Sequence, residues 1–454
     1  MTMKRNTFLS FLLATTVLTG CAAATKSVPS LESELNYTQE VREKFNADLD
    51  WWKAYNNDEL NYLTGFALKN NPDMLKAAVK IQKQLATLNL SESDLFPTMT
   101  GSLGASSKKK LNDGKKSTQS FSGELALNYE IDLYGKIADA RDAQEFELNA
   151  TVADAESARL TVVNSVVDLY FNLLYLQNTI ELTRKNIGTY SDLLNIARAR
   201  FKTGKADKLE VVQARQSLIA EQTALLNTQT QAKEMEQSLR NVLNLKPADG
   251  LALGDASILK QPLLTPHLSV PVSVLANRPD LTAAQYRLKK AFSSMRAEEK
   301  NWYPTISLNG AIGSSSNRAK STFDFPYLLG GVSLNLPFLD WNRVKSNIKI
   351  ARADYDAALI DFKNALAQAL NEVAYYSFAY GKTEQIYANT EKTLKNNRQI
   401  TAYYRARHQA GKASFKDVLQ AVADENAAQK TLLAQKYQLI KYENLLFKAM
   451  AGRY

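Results

Sequence analysis

Few side chains in this sequence could do covalent chemistry, and they are scattered. The two histidines, His267 and His408, lie far apart, and neither belongs to a paired-histidine helical metal motif. No phosphate loop is present, because Gly101-x-x-Gly104 and Gly330-Gly331 fall where the pattern is that of strands and close packing accounts for them. Glu298-Glu299 reads as ordinary helix surface, and seven dispersed methionines spell out no copper path. Cys21 is the only thiol, so a disulfide within one chain is impossible. The expectation is a protein that is not an enzyme and holds no metal or diffusible cofactor.

The position of Cys21 gives it a chemistry. Lys4 and Arg5 form a basic start, Phe8 to Val17 an apolar run too short to span a bilayer, and Leu18-Thr19-Gly20 a small-residue cleavage site. A thiol directly after Leu-x-Gly resembles the lipobox of bacterial lipoproteins; the alternative is an ordinary secretory signal with an incidental cysteine. On the lipoprotein reading, residues 1–20 are a signal peptide, and Cys21 then carries a diacylglycerol thioether and an acyl chain such as palmitate on its amino group. Several acyl chains anchor stably where one does not. Ala22 stands where an aspartate would signal inner-membrane retention, which favours the outer membrane.

The formal charge is +10, and Lys4 and Arg5 leave with the signal peptide. Lysines gather in Lys108-Lys109-Lys110 and Lys115-Lys116 around the turn Asn112-Asp113-Gly114, rather than along a helix face with interleaved aromatics. That excludes a nucleic-acid reader and leaves a solvated loop, or a cell-surface loop near anionic lipopolysaccharide.

What must position any site is a structural unit written twice. Asn70-Asn71-Pro72-Asp73 returns 207 residues later as Asn277-Arg278-Pro279-Asp280, Phe96-Pro97-Thr98 as Tyr303-Pro304-Thr305, and Arg200 to Ala206 as Arg407 to Ala413. This period is far longer than that of a solenoid. The expected organisation is a tether over residues 21–57, a first repeat over 58–245, a linker over 246–271 and a second repeat over 272–454.

Within each repeat the periodicity changes. Helical patterns over Asp58–Lys69 and from Asp73 to about Leu90 give way after Pro97 to alternation, with Met99, Gly101 and Leu103 opposite Thr98, Thr100 and Ser102. The predicted β-hairpins cover about 97–131 and 304–338, with strands of bilayer-crossing length and aromatics near their ends: Phe96, Tyr129 and Tyr134, then Trp302, Tyr303, Phe338 and Trp341. Past residue 20 no run of 18 apolar residues exists, so any span must be made of strands. Four strands cannot close a barrel, since small barrels need about eight and an open edge cannot lie in hydrocarbon. Copies must therefore combine: two would give a barrel filled by side chains, three a lumen. Long helical hairpins complete the repeats, over about 136–243 with its tip near Gly204 and about 344–450 with its tip near Gly411. Asp207 and Ser414 are the expected N-caps. The fold class is an α+β membrane protein; the alternative reading of the strands is a pair of hairpins packed on a soluble core with one polar face wet.

Taken in order, the lipobox, Trp51-Trp52-Lys53-Ala54-Tyr55, Asn277-Arg278-Pro279-Asp280-Leu281, Trp302-Tyr303-Pro304, and Arg405 to Lys412 running on to Asp417-Val418-Leu419-Gln420-Ala421 resemble the TolC-like outer membrane factors, in their lipidated, NodT-like branch. The resemblance covers nearly all of the mature chain. It implies a homotrimer with one twelve-stranded barrel and a periplasmic helical tube. Such a tube docks a periplasmic adaptor and an inner-membrane pump of the RND type. Function would be passive conduction of exported solutes in a tripartite efflux system, as in multidrug resistance. The alternatives are type I protein secretion and a structural coiled-coil lipoprotein.

The family's closed gate lies at the tip. Carried onto this chain, its candidates are Arg200, Lys202, Gly204, Lys205, Asp207 and Glu210 at one turn, and Arg405, Arg407, His408, Gly411, Lys412, Lys416 and Asp417 at the other. Glu210 and Asp417, six residues after the two glycines, are expected either to ring a lumen and favour cations or to cap helix dipoles. Gln213 and Gln420 stand where some members of the family place an aspartate, which removes that acidic ring. His408 is read as an exposed histidine, with pH-dependent gating as the alternative.

Overall fold

The computed structural model describes residues 50–109, 117–251, 253–266, 278–325 and 327–452. The expectations for the signal peptide, Cys21, the centre of the lysine loop and His267 lie outside them. In chain order the elements are α1 (Asp58–Asn70), α2 (Pro72–Ser93), β1 (Thr98–Lys108), β2 (Thr118–Ile131), α3 (Lys136–Lys202) and α4 (Lys208–Val242). After the linker come α5 (Pro279–Glu299), β3 (Thr305–Ser316), β4 (Tyr327–Asn335), α6 (Trp341–Gln409) and α7 (Phe415–Ala449). From α2 onward the second set repeats the first.

The 67 residues of α3 make a rod of about 100 Å. Gly135, at φ +72°, turns the chain out of β2, and the Asp132 carboxylate accepts from the N–H groups of Ile137 at 3.1 Å and Ala138 at 2.8 Å, which starts the helix. The helix α6 begins at Trp341, three residues before the predicted Val344, because a 3-10 turn over Pro337–Asp340 leads directly into it. At the far ends both long helices stop in the same way. Gly204 and Gly411 each sit at φ +71°, a conformation free of strain only for glycine, and Lys205 N–H bonds Arg200 C=O as Lys412 N–H bonds Arg407 C=O. Asp207 caps α4 through Leu209 N–H at 3.1 Å, and Ser414 caps α7 in a reciprocal box with Asp417.

The returning α4 and α7 are 35 residues each, about half as long as α3 and α6. They pack along the tip halves, while α2 and α5 pack along the barrel halves. The core forms where these partners meet, around Val163, Val166, Val167 and Phe171 of α3, with Leu239, Ile440 and Phe447 against them.

Of the residues assigned to the tether, 51–57 are folded onto the body of the protein. Trp51, Trp52 and Tyr55 are buried in that core, Trp51 donates to Asn444 Oδ1 at 3.0 Å, and Asn57 caps α1. Two tryptophans and a tyrosine bury too much apolar area to stay in water. The clamp closes on Glu443, which is fully buried: Leu264 and Thr265 N–H donate to its Oε1 at 2.5 and 3.0 Å, and Tyr55 O–H to its Oε2 at 2.8 Å. Burial pushes this carboxyl up to about 7, although all three donors pull it down.

The repeated Asn-x-Pro-Asp landmarks are helix locks. Asn71 donates to Val242 C=O at 2.7 Å, and its counterpart Arg278 donates to Ala449 C=O at 3.1 Å, a carbonyl 207 residues further along. Arg278 also grips Asp280 through two nitrogens and Glu372 of α6 at 2.8 Å. Burial by itself would raise the Asp280 carboxyl, but the guanidinium holds it below the usual range.

Candidate functional site

The four strands form one antiparallel sheet in the order β1-β2-β3-β4, with the two repeats joined at β2 and β3. Its register sorts the side chains. Met99 pairs with Leu127, Leu125 with Ile312, and Ile312 with Leu328, so one face is apolar across all four strands. The opposite face carries Thr98, Asn128, Asn309 and Ser333, with Asn309 donating to Ser333 Oγ at 2.7 Å. Nothing among the described residues covers the apolar face: Leu103 and Val332 are each 70% exposed and Leu328 79%. An apolar band this wide, on strands of 9 to 14 residues, suits hydrocarbon. At the helix end of the strands Tyr134 stacks on Tyr303 with ring centroids 4.6 Å apart, and Trp302, Phe338 and Trp341 stand exposed around them, as residues of a membrane interface do. No helix among the described residues is long and apolar enough to cross a membrane.

At the other end of the rods, the tip brings together only some of the residues expected there. Arg200 and His408, from the last turns of α3 and α6, meet across the repeats with Arg200 Nη1 at 2.9 Å from His408 Nε2. His408 is buried rather than exposed, since Phe415 packs against its ring at 5.6 Å. Its Nδ1 lies 3.0 Å from Ala413 C=O and donates to it, in the tautomer whose Nε2 accepts from the guanidinium. Arg200 also donates to Lys205 C=O at 3.3 Å, and its Nε lies 3.9 Å from Glu210 Oε2, both atoms being buried without a hydrogen bond.

Glu210 and Asp417 are therefore not alike. Glu210 faces Arg200, whereas Asp417 turns back to its own helix start, where Ser414 donates through N–H at 3.0 Å and Oγ at 2.7 Å and lowers the carboxyl. Arg407 bonds Tyr403 O–H at 2.7 Å and stays apart from the Arg200 cluster. Lys202, Lys205, Lys412 and Lys416 point to solvent, as does Arg405. No sequence signal could pair Arg200 with His408, because they lie 208 residues apart and the repeat places Phe201, not Arg200, opposite His408.

The model of the family described as Outer membrane efflux protein matches residues 63–245 and 270–452, one match per repeat. Toxin and drug export protein A of Aggregatibacter actinomycetemcomitans is 38% identical over 453 residues, covering 100% of this chain and 99% of that one. Probable outer membrane lipoprotein SilC of Salmonella typhimurium is 24% identical over 411 residues, 89% of this chain and 88% of that one. The fold superimposes on the crystal structure of the Campylobacter jejuni CmeC outer membrane channel with a TM-score of 0.80 at 23% identity, over 89% of this chain and 88% of that one. With both repeats matched and a sheet whose exposed apolar face meets the needs of a bilayer, this chain belongs to the outer membrane efflux protein family.

Proposed function

We propose that this protein is the outer-membrane exit duct of a tripartite efflux system, built from three copies and anchored by lipid on Cys21. The observation that carries it is the sheet: four strands with an apolar face and two unpaired edges cannot rest in hydrocarbon until copies close them into a ring. Three copies supply twelve strands, enough for a lumen lined by the polar face. Rods of about 100 Å on one side of that barrel are long enough to reach an adaptor and, through it, an RND-type inner-membrane pump. The duct itself supplies no energy. The Arg200–His408 bond, with Glu210 behind it, holds the two helical hairpins together at the tip and so favours a closed end. A relative named for toxin as well as drug export keeps polypeptide cargo as the second reading.

Planar-bilayer recording of the purified full-length protein tests the duct. Currents are expected that grow when Arg200 is replaced by alanine; silence from both proteins would refute conduction. Cys21→Ala is expected to weaken anchoring and leave conduction intact, because the closed strands hold the barrel by themselves. A Cys21→Ala protein found wholly in the periplasm would overturn the barrel.

A further inference from the structure

The end of the sheet far from the helices holds an arrangement that strand pairing does not require. In the register Ser102 faces Glu124, Glu124 faces Gly313 and Gly313 faces Tyr327, so these four residues cross all four strands in one row. Asn309 lies four residues from Gly313 and Ser333 six from Tyr327, and the two are bonded to each other. The row therefore belongs to the polar face.

Tyr327 does not stand straight up from β4 on that face. Its ring lies across β3: a Cβ placed on Gly313 would come 2.6 Å from its Cζ and 2.8 Å from its Cε2, closer than real contacts allow. Only glycine leaves room for the ring there, and Gly313 is buried beneath it. The phenol end thus sits over the residue paired with Glu124, and paired residues have Cα atoms only about 4.5–5.5 Å apart. One face of the ring rests on the backbone of β3, which leaves the other to the lumen.

Glu124 is exposed beside this ring and makes no ion pair among the described residues. The basic side chain that the four strands place on the polar face is Lys108, six residues along β1 from Ser102 and so about 20 Å away. The connection after β3 keeps clear of the row. Ser314, on the apolar face, donates through Oγ to Thr322 C=O, and a Cβ placed on Gly123 would lie 2.8 Å from that carbonyl oxygen. At Thr322 the connection therefore lies against the outward face, not across the lumen.

A carboxylate without a counter-ion beside an open aromatic face offers the two groups that attract an organic cation, a point charge and a ring quadrupole. We infer that Glu124 and Tyr327 form a binding site for alkylammonium and quaternary ammonium ions on the lumen wall near the outer mouth, one site in each copy. This rests on the reading that the polar face lines a duct, and it adds a class of solute that the wall holds in passing. A hard metal ion, which takes six or more oxygen ligands, gains little from one carboxylate. An exposed cation–π contact changes affinity only about two- to fivefold, and a conducting path needs sites weak enough to leave.

Planar-bilayer recording of the full-length protein, with tetraethylammonium added on the side of the barrel mouth, tests the site. The ion is expected to reduce the wild-type current with little voltage dependence, because it reaches the row before crossing much of the field. Glu124→Gln and Tyr327→Ser should each weaken the block about two- to fivefold, while Tyr327→Phe keeps the ring and should keep the block. Gly313→Ala pushes the ring off its shelf and should behave as Tyr327→Ser does. Conducting wild-type channels without block, block equal in all four variants, or block as steeply voltage-dependent as a site at the helical tip would give, each overturns the assignment and leaves the duct standing. Silence from every protein, Arg200→Ala included, overturns the duct and the site with it.

Discussion

Glu443→Gln tests how the N-terminal segment and the linker are clamped to α7. The wild-type carboxyl is fully buried and titrates at about 7 instead of its usual 4.5. The folded clamp thus holds a proton more tightly than the open one, so its contribution to stability is complete below the unfolded value and is lost as pH rises to about 7. At about 1.4 kcal/mol per pH unit, the loss is on the order of 3 kcal/mol. Glutamine cannot ionise, yet its carbonyl can accept from Leu264 and Thr265, and its amide can donate to Tyr55 Oη. The stronger bonds of the charged form are already contained in the value of about 7, so between pH 5 and pH 8 the variant should gain about 2 kcal/mol over wild type. Near pH 5 the two should be nearly equal. Hydrogen exchange at the Leu264 and Thr265 amides, corrected for intrinsic rates, reads the opening directly, and 2 kcal/mol is about a thirtyfold gain in protection. If wild type and variant keep the same ratio of protection at pH 5 and pH 8, Glu443 does not titrate in that window and the reasoning is wrong.

Arg278→Ala should cost about 2–3 kcal/mol in denaturant unfolding, because it strands Asp280, Glu372 and the Ala449 carbonyl together, whereas Asn71→Ala, with one bond to Val242, should cost about 1 kcal/mol; equal costs would show that the ion pairs add nothing to the lock. At the tip, His408→Ala and Arg200→Ala each remove the same bond, worth about 1.5 kcal/mol, so each should raise channel opening about tenfold and the double variant little more.

Local rules reach far in this chain because its elements are long. Sixty-seven residues with one interior glycine and no proline can only be helix, and α3 spans Lys136–Lys202 as the pattern requires. Gly204 and Gly411, followed by Asp207 and Ser414, mark reverse turns because left-handed backbone and N-caps have few chemical solutions. Strand alternation separates an apolar from a polar face before any register is known. The duplication is legible for the same reason: its landmarks are the locks, strand starts and turns that local geometry demands.

Sequence by itself thus determined the two repeats, the helical hairpins, the strands and the need for partner copies. Only the tertiary structure decided which side chains meet across the repeats. Arg200 on His408 and Glu443 beneath Tyr55 join residues 208 and 388 positions apart, and no periodicity along one element encodes which neighbour another element will bring. The structure also separated positions that the repeat makes equivalent. Glu210 faces a cation while Asp417 closes its own cap, because Ser414 offers a hydroxyl to the third residue of its helix and Asp207 offers only a carboxylate.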